Sequence, residues 1–99
     1  MKIYKTLEEN TLTLVPEGRL DTNTAPELEK MLAENLGEDV TELVLDFENL
    51  DYISSAGLRV LLSAHKKMRK QGTMKLVHVS EVVNEIFEVT GFSEILTVE

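Results

Sequence analysis

No cysteine occurs anywhere in the chain, which excludes disulfides and thiolate metal sites. No apolar run approaches the length that crosses a bilayer, and Met1-Lys2-Ile3-Tyr4 lacks the form of a secretory signal. Positive charge is scarce: 10 Lys and Arg stand against 18 Asp and Glu, a net charge of −8. A pI near 4.7 argues against a nucleic-acid surface and for a protein partner that carries a basic patch. Linkers, repeats, low-complexity segments, glycine-rich phosphate loops and clustered metal ligands are missing as well. What remains is one domain over residues 1–99, 42% apolar. It is expected in the cytoplasm, with no metal, no cofactor, no catalytic residues, and neither membrane nor nucleic acid as partner.

The chain is organised around Asp51 to Leu62, where a segment leaving the sheet becomes an amphipathic helix. Leu58, Leu61, Leu62, His65 and Met68 recur at helical spacing. Lys66, Lys67, Arg69 and Lys70 gather where positive charge suits the negative end of the helix dipole. Gly72 is expected to supply a left-handed cap. The helix therefore starts at Ser54 or Ser55. Whichever serine does not cap it holds a hydroxyl beside the unpaired N–H groups of the first turn, a natural anion site.

Taken in order, residues 1–8 read as an edge strand guarded by lysines, and Thr11 to Val15 as its antiparallel partner, with Pro16 either ending it or marking an edge or bulge position. Thr24-Ala25-Pro26-Glu27 has the form of a capping box before a helix with Leu28, Met31, Leu32 and Leu36 on its buried stripe, stopped by Gly37. Leu43-Val44-Leu45 reads as a central parallel strand covered on both faces, and Glu48 to Asp51 as a loop. A third parallel strand spans Met74 to Val79. Ser80 caps a third helix that buries Val82, Val83, Ile86 and Phe87, and Gly91 ends it. Phe92 to Leu96 is expected to add a last turn or strand. The order ββαβαβα predicts an α/β domain with a mixed, mostly parallel sheet, an N-terminal antiparallel hairpin and packed helices.

Serine hydrolysis finds no support. Neither serine has a glycine two residues before it, as a nucleophile elbow requires. His65 lies about 15 Å up the helix. Asp46, at a strand end, lacks the acidic companions of a phospho-accepting aspartate. A glycine in the first helical turn costs about 1 kcal/mol relative to alanine. Gly57 is therefore read as a place where a partner's backbone comes close, and Gly57→Ala is expected to leave the fold neutral or slightly stabilised. The alternative is close packing of the helix against its own sheet.

Gly18-Arg19-Leu20-Asp21, Leu43-Val44-Leu45-Asp46-Phe47 and Tyr52-Ile53-Ser54-Ser55-Ala56-Gly57-Leu58 together resemble the STAS domains of bacterial anti-sigma factor antagonists. The resemblance runs over essentially the whole chain. It implies a small non-enzymatic α/β domain that, when unphosphorylated, binds an anti-sigma factor, usually a serine kinase, and so frees a sigma factor. Phosphorylation by that kinase breaks the complex and a serine phosphatase restores it. With the family's Asp-Ser-Ser/Thr-Gly motif matched at Gly57, the acceptor is Ser55. Ser54 then replaces the aspartate, Ala56 takes the second hydroxyl position, and Arg59 stands where a small residue is common. The expected partner face joins Asp21, Thr22 and Asn23 to Ser54, Ser55, Ala56, Gly57 and Leu58. The other function compatible with this fold is a non-switching STAS subunit that scaffolds a complex or binds a nucleotide.

Overall fold

Ten residues, Thr11–Leu20, form the strand that pairs with three of the other four (β2) in the computed structural model, which describes residues 1–99. Lys2–Glu8 (β1) pairs with it antiparallel, Ile3 opposite Pro16 and Leu7 opposite Leu12. The turn between them places Glu9 at φ 55. Glu42–Asp46 (β3) runs parallel along the first half of β2, and Thr73–Val77 (β5) lies parallel on the far side of β3. The second half of β2 takes a different neighbour. Leu50–Ile53 (β4) pairs parallel with Gly18, Arg19 and Leu20. The register shifts between Gly18 and Arg19, where Gly18 adopts φ 104, a conformation that favours glycine.

This two-tier arrangement decides between the readings of Pro16 and corrects the reading of residues 50–51. Pro16 does not end the strand, because pairing with β3 stops at Leu14 and pairing with β4 starts at Gly18. The proline sits in the gap, where no N–H donor is needed on that side. Residues 50–51 are strand rather than loop. Leu50 and Ile53 are buried with two residues between them, a spacing that hides the two-residue period of a strand.

Leu12, Leu14, Leu43, Leu45, Met74 and Leu76 point to one face and are buried, whereas Thr13, Val15, Val44, Lys75 and Val77 on the other face are only partly covered. The helices thus pack on one face of the sheet, not both. Burying each of these large side chains contributes about 1.5–3 kcal/mol. They join the helices in one apolar core.

Helix Ala25–Asn35 (α1) buries Leu28 and Leu32, and Leu36 is buried just past its end. The expected capping box is not formed. The Thr24 side chain makes no cap bond, and Glu27 accepts from the Met1 amino group at 3.0 Å. Helix Ser55–Met68 (α2) buries Leu58, Leu61 and Met68 as its stripe predicts. Val60 and Ala64 are buried too, while Leu62 and His65 are half-covered. The buried face turns this way because α1 packs beside α2. Gly72 is not a left-handed cap. A Cβ there would collide with the Thr41 backbone, whose carbonyl accepts the N–H of Thr73 at 3.0 Å.

Helix Glu81–Thr90 (α3) begins at Ser80, whose hydroxyl accepts the Val83 N–H at 3.2 Å, and ends at left-handed Gly91. Only Val83 and Phe87 of its apolar residues are buried; Val82 is exposed, against expectation. Phe92–Glu94 forms a 3₁₀ turn. The last strand-like pairing comes later, where Val98 bridges Leu76 on the outer edge of β5.

Candidate functional site

The pairing of β2 with β4 brings two distant segments to the same end of the sheet. Leu20 and Ile53 are register partners, and the Ser54 N–H donates to the Leu20 carbonyl at 2.8 Å. The chain turns into α1 immediately after Leu20 and into α2 immediately after Ile53. Asp21-Thr22-Asn23 and Ser54-Ser55-Ala56 therefore lie side by side.

The two serines have different environments. Ser54 is the N-cap in extended conformation, half-buried, and its Oγ faces the Gly57 N–H at 3.5 Å, the long end of a hydrogen bond. Ser55 is the first helical residue and is exposed. It stands in the first turn, whose N–H groups have no intrahelical acceptor, at the positive end of the helix dipole. Arg59, one turn along, is exposed as well. It lines a shallow hollow with Thr22, Pro26, Glu29 and Ala56.

Thr22 and Asn23 are exposed, but Asp21 is committed inward. Its Oδ1 accepts the N–H groups of Asn23 (2.9 Å) and Thr24 (3.2 Å). The Thr24 hydroxyl accepts the Asp21 N–H at 2.8 Å and donates to the Arg19 carbonyl at 2.6 Å. Desolvation raises the Asp21 pKa, but these backbone donors, the nearby Thr24 hydroxyl and Arg19 outweigh it and hold the carboxyl below its ordinary value. Asp21 thus fixes the shape of the loop that presents Thr22 and Asn23.

Two residues named for the partner face lie behind it. Leu58 is 5% exposed, and Gly57 is buried. A Cβ on Gly57 would stand 2.7 Å from Ile53 Cγ1 and 2.8 Å from Leu20 Cγ. The close approach that calls for glycine is therefore the domain's own sheet, not a partner backbone. That packing argues against a neutral Gly57→Ala substitution.

One feature of this end was not read from the sequence. Arg19 and Tyr52 are register partners across β2 and β4, and the guanidinium lies 4.4 Å from the ring centroid. Such stacking contributes about 0.5–1 kcal/mol at an exposed site. Only recognition of β4 would have paired them.

Asp46, at the end of β3, accepts the Glu48 N–H (3.0 Å) and bonds His78 Nδ1 at 3.0 Å. The hydrogen bond to Asp46 and its charge, with help from Glu48 and against some desolvation, raise the His78 pKa above the ordinary histidine value. Because the folded pKa is the higher one, the contribution to stability is present below the unfolded value of about 6.5 and disappears as pH rises through the folded value. In an NMR titration His78 should protonate at higher pH than a model imidazole, and Asp46→Asn should lower that midpoint. A midpoint unmoved by the substitution would show that the pair does not persist in solution.

Three comparisons bear on this arrangement. The STAS domain family profile matches residues 2–99. BtrV of Bordetella bronchiseptica is 37% identical over 99 residues, covering 99% of this chain and 85% of its own. The anti-sigma-B factor antagonist of Bacillus subtilis is 31% identical over 91 residues, covering 91% of this chain and 83% of its own. Among solved structures, the Bacillus anti-sigma factor antagonist SpoIIAA in its unphosphorylated form superposes with a TM-score of 0.77 at 17% identity, covering 99% of this chain and 87% of that one. SpoIIAA has also been solved phosphorylated.

Proposed function

The chain belongs to the STAS domain family, and from that premise we propose that residues 1–99 act as one STAS domain and anti-sigma factor antagonist. Unphosphorylated, it binds an anti-sigma factor of the serine kinase type in the cytoplasm and so frees a sigma factor. Phosphorylation of Ser55 ends that binding and a serine phosphatase restores it. The domain is a binding module, not an enzyme. Its contact surface comprises Thr22, Asn23, Ser54, Ser55 and Ala56, shaped from behind by Asp21, Gly57 and Leu58.

One observation carries this reading. Ser55 offers an exposed hydroxyl at the first position of α2 while its neighbour Ser54 is used as the cap. The names of the B. subtilis relative and of SpoIIAA support an anti-sigma factor as partner. Phosphosite mapping after incubation with the cognate anti-sigma kinase and ATP tests it, with a single phosphoryl group on Ser55 as the expected result. Phosphate on Ser54 would refute the assignment. Ser54 in place of the family's aspartate favours a second reading, a non-switching STAS subunit that scaffolds a complex or binds a nucleotide. Stable binding to the kinase with no phosphate transferred would establish the scaffold.

A further inference from the structure

The outward face of α3 is not explained by the fold or by the Ser55 switch. Val82 is 55% exposed and Val89 81% exposed. Ile86 between them is half-covered, so the three residues form one stripe at spacings of four and three. Single exposed apolar residues are ordinary, but here they share a shallow hollow with Glu85 and Thr90. Valine is a modest helix former, so neither propensity nor internal packing accounts for it at an outward position.

The charge around the stripe is of one sign. Glu81, Glu85 and Glu88 are exposed on α3, and no Lys, Arg or His occurs from residue 81 to residue 99. None of these glutamates joins an ion pair. We propose that this face is a docking surface, separate from Ser55, for a cationic amphipathic helix of a protein partner. The partner's apolar side would cover Val82, Ile86 and Val89, and its Lys or Arg side chains would meet Glu81, Glu85 and Glu88. Val82 to Val89 spans about 10 Å, the length of two turns of an opposing helix, and helix-in-groove recognition uses anchors at this spacing. The opposite, buried side of α3 packs on β4, and β4 leads into Ser54.

The test needs no knowledge of the partner. The probe is a leucine–lysine amphipathic peptide of about 14 residues, roughly 21 Å of helix, added to ¹⁵N-labelled protein alongside a counterpart with glutamate for every lysine. Saturable shifts confined to α3 are expected, weakening as salt rises. The double substitution Val82→Lys, Val89→Lys should lower affinity at least about tenfold, or 1.4 kcal/mol. These are surface positions, and an unchanged circular dichroism spectrum verifies the fold. Ser55→Asp should leave peptide binding untouched, which separates this surface from the proposed switch. Shifts spread equally over the acidic residues of α1, or equal binding of the glutamate peptide, would overturn the proposal. So would concentration-dependent self-association abolished by the double substitution, since a second copy would then be the occupant.

Discussion

Ser55→Asp is expected to weaken binding to the anti-sigma partner at least about tenfold, a cost of 1.4 kcal/mol or more, while Ser55→Ala binds as tightly as the unmodified protein. In the free domain the added charge should be well tolerated. It sits at the start of α2, where an anion gains about 0.3–1 kcal/mol from the helix dipole. Arg59, one turn further on and exposed, adds a few tenths of a kcal/mol as an i, i+4 partner. Thermal stability should therefore be unchanged or slightly raised. The loss arises at the interface, where a small hydroxyl becomes a hydrated anion that must be stripped of water. A phosphoryl group, with about −1.5 to −2 charges, should act more strongly than aspartate. Calorimetric titration of both variants, with melting curves, separates the possibilities. Equal affinity for Ser55→Asp and Ser55→Ala would reject a switch at this residue, and a large fall in melting temperature would move the effect from the interface to the fold.

The second large effect is on stability. Gly57→Ala should destabilise the domain by up to about 2 kcal/mol. Helix propensity favours alanine by about 1 kcal/mol, but overpacking a filled core costs about 1–3 kcal/mol. Here the new methyl meets Ile53 Cγ1 and Leu20 Cγ closer than 3 Å. Both side chains are essentially fully buried, and besides Leu20 Cδ2 the new methyl meets the branch atoms Ile53 Cγ1 and Leu20 Cγ, which cannot swing aside without moving the whole side chain. The packing term should win. In a domain of this size that is a fall of up to roughly 15 °C in melting temperature. Gly72→Ala should cost more, because its methyl meets the rigid Thr41 backbone. Binding by Gly57→Ala protein should fall only as far as its folded fraction does. A melting temperature at or above that of the wild type would show that Leu20 and Ile53 can move aside.

These two residues illustrate what the sequence reveals and what it conceals. The helices were legible because caps and apolar stripes are local: Ser54, Ser80 and Gly91 mark ends, and Leu28, Leu32, Leu61, Phe87 mark buried faces. The serine at the start of α2 was legible for the same reason. The role of Gly57 was not, since it depends on Leu20, which is 37 positions away in the numbering and becomes a neighbour only through β4. Strand β4 itself has four residues and no alternation. Thr24 and Glu27 carried a correct local pattern whose side chains nevertheless found other partners, the Arg19 carbonyl and the Met1 amino group. Val82 looked buried by spacing, yet α3 meets the core with only Val83 and Phe87. The breadth of a buried face is decided by what lies opposite, and spacing does not contain that.

The division of β2 between two parallel neighbours also bears on how the chain finds its fold. Its pairing with β1 needs only the turn at Glu9-Asn10. Its contacts with β3 and β4 close loops through α1, joining Leu14 to Leu45 and Leu20 to Ile53. Such non-local parallel pairings are slow to form because chain entropy is lost before the contacts repay it. The hairpin is thus a ready template, and recruiting two successive strands onto it is expected to be the slow part of folding. The later of the two, β4, sets Ser54 and Ser55 in place. A nascent chain therefore cannot bring Ser55 beside the Asp21-Thr22-Asn23 loop until the last parallel partner of β2 has docked.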